Sequence, residues 1–143
     1  MEPAKGKLGV MCVGLGAVTT TFMTGVLMTR KGLAKPVGSM TQYDKIRVGR
    51  GKDKKYLHYG EIVPLADLND IVFGAWDVYP ANAYESAINA EVLKEKDINP
   101  VADELKAIKP MKAAFDHNYA KRLDGVNVKD CATRWDMGEA LRK

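Results

Sequence analysis

Lys7-Leu8-Gly9-Val10-Met11-Cys12-Val13-Gly14-Leu15-Gly16-Ala17-Val18 is the stretch whose reading decides the fold of this chain. Residues 8–13 are almost all apolar, as expected of a parallel strand buried on both faces. Gly14 and Gly16 follow, and they let the backbone turn tightly with no Cβ between it and a ligand. A helix then starts near Ala17, which leaves its first N–H groups and positive dipole end beside the turn. Such a terminus suits a pyrophosphate. The full dinucleotide fingerprint also asks for Gly or Ala three places after the second glycine, where this chain has Thr19, and for an acid about 20 residues on. Leu33-Ala34-Lys35-Pro36-Val37-Gly38 supplies no such acid. On spacing alone, the stretch therefore reads either as a nucleotide turn or as an ordinary strand-to-helix turn.

The 143 residues suffice for one domain with its own core. An apolar content of 46% with 28% charged residues is that of a folded globular chain and excludes a disordered one. The net charge of +4 allows phosphorylated metabolites without requiring a nucleic acid. Cys12 and Cys131 build no disulfide framework, and no Cys or His spacing matches a zinc site, so a reducing cytoplasmic setting is expected and no metal ligand is assigned. Residues 1–6 read as a loose terminus, polar and without a secretory apolar core. Gly, Thr and Lys interrupt the apolar stretches, so no membrane partner is expected.

Working outward, the first helix is expected over residues 17–30, with Val18, Phe22, Gly25 and Val26 as the face laid on the sheet. Its threonines either donate to phosphate oxygens or bond back to the helix, the latter being expected of Thr21 and Thr24. Gly32 is placed to cap it. Residues 33–63 are irregular and basic. Lys45, Arg47, Arg50, Lys52, Lys54 and Lys55 there suggest either a phosphate or nucleic-acid patch, with Tyr56 and Tyr59 as stacking rings, or a solvated hairpin. Lys45-Ile46-Arg47-Val48 alternates like an edge strand, and Asp44, Asp53 and Glu61 break the charge, which favours the hairpin. His58 reads as exposed. Residues 64–68 read as one helical turn.

Asp70-Ile71-Val72-Phe73-Gly74-Ala75-Trp76-Asp77 is a second buried strand, ending in an acid where open α/β sheets bind ligands. Asn82 and Glu85 form a capping box for a helix to about Lys96, with Tyr84, Ile88 and Val92 as its stripe. Asn99-Pro100 opens another helix with Val101, Leu105 and Ile108 inside. Residues 111–115 make a third strand. His117, between Asp116 and Asn118, is read either as an acid–base group or as part of a polar turn. Asp130 is expected to cap a last helix over residues 132–141, with Trp135 on its buried side. The order of elements is that of an α/β protein with a parallel sheet and flanking helices, and three strands, with none following the last helix, are expected of the front part of a larger protein.

The chain resembles a known family, myo-inositol-1-phosphate synthase (inositol-3-phosphate synthase), in the amino-terminal NAD-binding region of its bacterial form. The resemblance is carried by Val13-Gly14-Leu15-Gly16-Ala17-Val18-Thr19-Thr20 and by Phe73-Gly74-Ala75-Trp76-Asp77, which is similar to the family's Phe-Gly-Gly-Trp-Asp segment. It extends from about Leu8 to Leu141. It implies that residues 1–143 are a Rossmann-like NAD-binding domain, incomplete at this length. It further implies an isomerase that takes glucose 6-phosphate to myo-inositol 1-phosphate (1D-myo-inositol 3-phosphate) by internal oxidation, enolisation, aldol cyclisation and reduction. The family's glycine loop maps to Gly14, Gly16, Ala17, Val18 and Thr19. Its Trp-Asp acid, on the nucleoside part of NAD, maps to Asp77, and the residues after the next strand map to Ala113 and Ala114. Where many members carry Gly-Gly-Asn-Asn, this chain has Gly16-Ala17-Val18-Thr19, so side-chain amide contacts give way to backbone N–H groups and the hydroxyls of Thr19 or Thr20.

The family's catalytic residues and its tetramer-forming sheet lie downstream of these positions. No catalytic residue is assigned, the stretch alone is expected to be inactive, and a homotetramer is expected only at full length. Two other readings stand beside this one. The first is a different NAD-linked oxidoreductase or a nucleotide-sensing module. The second is a basic module that binds nucleic acid through Arg47, Arg50, Lys52 and Lys54.

Overall fold

The computed structural model describes residues 5–142; residues 1–4 of the expected loose terminus fall outside the described residues. The elements in chain order are β1 (Leu8–Val13), α1 (Ala17–Arg30), α2 (Met40–Tyr43), β2 (Lys45–Val48), β3 (Lys55–His58), α3 (Tyr59–Ile62), β4 (Ile71–Asp77), α4 (Ala83–Asn89), α5 (Glu95–Ile98), α6 (Ala102–Ala107), β5 (Met111–Lys112) and α7 (Arg134–Arg142). They fall into two compact units. One holds the described residues up to Gly9 with Gly25–Val72, the other Val10–Thr24 with the described residues from Phe73 on.

In the first unit, β2 and β3 pair antiparallel with Ile46 opposite Leu57 and Arg47 opposite Tyr56, so the hairpin reading holds. His58 is exposed, as expected, and its N–H donates to the Glu61 carboxylate at 2.7 Å. The turn expected over 64–68 does not form. Instead the Asp67 carboxylate accepts the Asn69 N–H at 2.8 Å and caps a 3-10 turn over Leu68–Asp70. This side-chain mimic of a backbone turn also holds the Asp67 carboxyl below its usual range, first through the Asn69 N–H and then through the Asn69 side chain. The end of α1 closes as expected. Gly32 takes φ +68°, and the Leu33 N–H reaches the Met28 carbonyl at 2.9 Å. Arg30 donates from Nε to the Leu68 carbonyl at 2.6 Å and from Nη2 to the Ile71 carbonyl, which ties the end of the helix to the start of β4.

The second unit carries the sheet, in the order β1-β4-β5. β4 and β5 are parallel, with Trp76 opposite Met111 and Asp77 opposite Lys112. Its core is Leu15 before α1 and Met23 on it, Ala75 and Val78 of β4 and the segment after it, Ala83 and Ala87 of α4, and Ile98, Val101 and Leu105 around α6. Phe22 meets Phe73 edge to face, centroids 5.5 Å apart.

Several expectations are corrected here. β1 is not buried on both faces, and it stands at the edge of the described sheet. Met11 is exposed, Val13 is 91% exposed, and Cys12 is only half-buried, because β4 takes the centre and nothing among the described residues covers that side of β1. The buried face of α1 is Thr20, Met23, Thr24, Val26 and Leu27, so of the expected face Val26 is buried while Phe22 is exposed and Val18 is 85% exposed; the face lies close to half a turn from the one expected. Thr20, not Thr21 or Thr24, bonds back to the helix, and the hydroxyls of those two are buried with no partner among the described residues.

The Asn82–Glu85 capping box forms, Asn82 Oδ1 accepting the Glu85 N–H at 3.0 Å. However, α4 stops at Asn89, because Glu91 turns left-handed at φ +53°. That leaves Val92 exposed, and Ala83 and Ala87 are the seam that packs on α6. Asn99 does not cap a helix; its side chain accepts the Tyr84 hydroxyl at 3.0 Å. The third strand is only Met111–Lys112, after which Ala113 bridges to Val128 instead of continuing along β4. The last helix is capped by Thr133 and Asp136 rather than Asp130. Thr133 N–H and Oγ1 donate to the Asp136 carboxylate at 3.0 and 2.8 Å, and Trp135 is 76% exposed.

Candidate dinucleotide site

The site is assembled where β1 and β4 end. Gly14 takes φ +93°, a left-handed conformation that L side chains rarely adopt, and this sends the chain from β1 into α1. Three hydrogen bonds hold the turn. The Gly14 N–H donates to the Trp76 carbonyl at 2.8 Å. Thr19 Oγ1 donates back to the Gly14 carbonyl at 2.9 Å. The Leu15 N–H donates to Asp77 Oδ2 at 2.5 Å. The other Asp77 oxygen, Oδ1, accepts the Tyr79 N–H at 2.9 Å, so both oxygens of the acid face backbone donors. The Leu15 side chain is buried beneath the turn and anchors it.

Past Leu15 the backbone donors are open. The N–H groups of Gly16, Ala17, Val18 and Thr19 have no acceptor among the described residues, and the first to return into the helix is Thr20, to the Gly16 carbonyl at 3.0 Å. These are the orphan donors that every helix start leaves, here gathered behind a glycine. A Cβ placed on Gly16 meets nothing within 4 Å, so the space in front of the donors is clear.

That space is a cleft of about 740 Å³ at the carboxyl ends of the strands. Gly14, Gly16 and Ala17 form one side and Asp77, Ala113 and Ala114 another. Phe115, Leu123 and Leu141 extend the apolar wall, while Ser86 and Asn89 give it a polar edge. Six of the eight residues expected at the site thus line one cleft. Val18 and Thr19 do not line it; their N–H groups have no acceptor among the described residues, and the Thr19 hydroxyl clasps Gly14.

Beneath the cleft, Asn127 joins the two strand ends. Its side-chain amide donates to the Asp77 carbonyl at 2.9 Å and the Met111 carbonyl at 3.3 Å, and its N–H donates to the Val78 carbonyl at 2.8 Å. Gly125 passes so close that a Cβ there would lie 2.3 Å from the Val78 carbonyl oxygen. Sequence reasoning missed both residues. They lie in a stretch with neither helical nor strand period, and a Gly-Val-Asn run carries no signal of its own.

His117 is placed in a turn. Asp116 accepts the Asn118 N–H at 2.9 Å and pairs with Arg134 at 2.9 Å, and His117 leans on Phe115 with centroids 4.4 Å apart. The Asn118 N–H and then the Arg134 side chain hold the Asp116 carboxyl below its usual range. No group of three or more potential metal ligands is found among the described residues.

A parallel sheet with a glycine turn, free amides at a helix start and a cleft at the strand ends defines a dinucleotide-binding α/β protein. Comparison with known proteins narrows that class. The family model described as myo-inositol-1-phosphate synthase, an NAD-binding domain, matches residues 8–143, and the chain belongs to that family. NAD is the cofactor of such a domain. The chain is 59% identical to inositol-3-phosphate synthase 1 of Bacteroides thetaiotaomicron over 100% of its own length and 33% of that protein's. It is 31% identical to inositol-3-phosphate synthase 1 of Oryza sativa, over 96% of this chain and 30% of that one. The fold is matched by the crystal structure of inositol-3-phosphate synthase from Caenorhabditis elegans, with a TM-score of 0.79 at 21% identity, covering 99% of this chain and 30% of that one. The chain therefore spans about a third of the length of the relatives it matches.

Proposed function

We propose that residues 1–143 act as the amino-terminal NAD-binding domain of an enzyme that isomerises glucose 6-phosphate to myo-inositol 1-phosphate, with the catalytic and tetramer-forming residues outside this stretch. The observation that carries the reading is the set of unpartnered amides from Gly16 to Thr19 at the start of α1, beside a cleft that Gly16 and Ala17 line, in a chain whose family is an NAD-binding domain. Those amides, with the positive end of α1 behind them, hold the pyrophosphate. Gly14 and Gly16 keep the approach clear, and Asp77, Ala113 and Ala114 form the wall along which the nucleoside part lies. NAD supplies the oxidation and the matching reduction. This chain's part is to hold it in place through both, by backbone donors that need no rearrangement.

Cytoplasmic location and a homotetramer at the relatives' length belong to the same proposal. No helix among the described residues is long and apolar enough to cross a membrane. The basic residues of the hairpin are spread over an exposed ribbon, and the proposal gives them no nucleic acid to bind.

A thermal-shift titration with NAD, NADP and ATP tests the reading. A melting temperature that rises with NAD, and less with NADP, is the expected result; at a hundred times Kd the stabilisation is about 2.7 kcal/mol. No shift with NAD in the protein at its natural length overturns it.

A further inference from the structure

We infer that Asn127 is a positioning residue of this site, which parts the chains leaving β4 and β5 and so fixes the wall of the cleft between them; the inference rests on reading the cleft as the NAD site. The ladder between the two strands ends at Asp77 and Lys112. Met111 still pairs with Trp76 of β4, but Ala113, two residues on, pairs with Val128 instead. The partner of the chain has changed from β4 to residues 127–129.

Asn127 is bonded to both chains at this fork. Toward β4, its N–H donates to the Val78 carbonyl at 2.8 Å. Toward β5, its carbonyl accepts the Ala113 N–H at 3.0 Å, and the Lys129 N–H then reaches the Ala113 carbonyl at 2.8 Å. The side-chain amide spans the point of parting, 2.9 Å from the Asp77 carbonyl and 3.3 Å from the Met111 carbonyl. Main-chain groups taken out of a ladder need other partners, and here one residue supplies them to both chains. The chains can therefore separate at the strand ends without orphaned groups. Val78 and Ala113 both line the cleft, so what holds them holds its wall. The side chain is matched to the task. An Asn nitrogen carries two N–H donors for the two carbonyls, whereas a carboxylate of the same shape carries none and sets oxygen against oxygen.

The test compares wild type with Asn127→Asp in the protein at its natural length. NAD is titrated at a temperature far below both melting points, where a change of global stability leaves Kd untouched. The expected result is NAD binding weakened by about tenfold. In the unliganded protein, hydrogen exchange of the Ala113 amide rises in the variant, while that of the Gly14 amide, bonded to Trp76 on the far side of β4, stays as in wild type. A lowered melting temperature with unchanged Kd overturns the inference, because Asn127 then serves stability alone. A rise of exchange at Ala113 and Gly14 together overturns it as well, since the loss is then global. Absence of NAD binding by wild type overturns the reading of the cleft instead; the exchange pair still decides the fork, with Ala113 protection unchanged in the variant refuting it. If Asn127→Asp does not fold, Asn127→Ala, which removes the donors without adding a charge, is judged by the same Kd and exchange criteria.

Discussion

Gly16 shows how a single residue divides binding from stability. Its neighbourhood is empty within 4 Å of a Cβ, so a larger side chain is not opposed by the protein itself. Gly16→Val is expected to leave the unfolding free energy within about 0.5 kcal/mol of wild type and to abolish the NAD-dependent rise in melting temperature, because the side chain stands where the phosphates approach. Asp116 gives the pH prediction at the same scale. Its carboxyl is held below the ordinary value of 3.8 in the folded chain, chiefly by the Asn118 N–H and then by Arg134. A depressed folded pKa contributes stability that is present above the unfolded value and lost as pH falls through the folded one. Asp116→Asn is therefore expected to lower the melting temperature at neutral pH and to make no difference once the acid is protonated in both states, which melts taken from pH 7 down to below 3 will check. The places of Gly14, Gly16 and Asp77 were legible in the sequence, since a tight turn after an apolar strand demands glycine locally. What Asp77 touches was not, because Leu15 lies 62 residues away along the chain.

At the scale of elements, local chemistry and packing answer separate questions. The Asn82 capping box was readable because both its bonds lie within one turn. Asn82→Ala is expected to cost about 1 kcal/mol and to fray the start of α4, measured by denaturant unfolding and by hydrogen exchange at Ala83–Glu85. The end of α4 was not readable, since the run from Asn89 to Lys96 contains no glycine or proline to stop a helix, and Glu91 itself takes the left-handed turn. Gly125 is the opposite case, a contact with no local sign. Gly125→Ala pushes a methyl group into the Val78 carbonyl, which also accepts the Asn127 N–H, and neither partner is a flexible side-chain end. A loss of about 1–3 kcal/mol is expected, together with weaker NAD binding, because the same segment props the Asp77 and Met111 strand ends. Unchanged stability in chemical denaturation refutes that role.

For the molecule as a whole, the exposed apolar surface is the prominent feature. Met11, Val13, Val18 and Phe22 are all exposed, on β1 and α1, in a chain that spans about a third of the length of its relatives. Parallel sheets are ordinarily covered on both faces, and exposed apolar patches bind hydrophobic dyes and one another. The 143-residue chain is expected to enhance the fluorescence of 1-anilinonaphthalene-8-sulfonate strongly over buffer under native conditions; absence of enhancement counts against the prediction. The sequence by itself determined the strand–turn–helix at Gly14, the second strand ending in Trp76-Asp77, the basic hairpin, the capping box and the family, because each is written in neighbouring residues. Only the tertiary structure decided that β4 and not β1 stands at the centre of the described sheet, that α1 buries Met23 and Leu27 in place of Val18 and Phe22, that Asp77 clasps the glycine turn, and that Asn127 underpins it. Hydropathy period states that an element has an inside, but which side is covered depends on partners brought together from distant parts of the chain, and no local pattern encodes them.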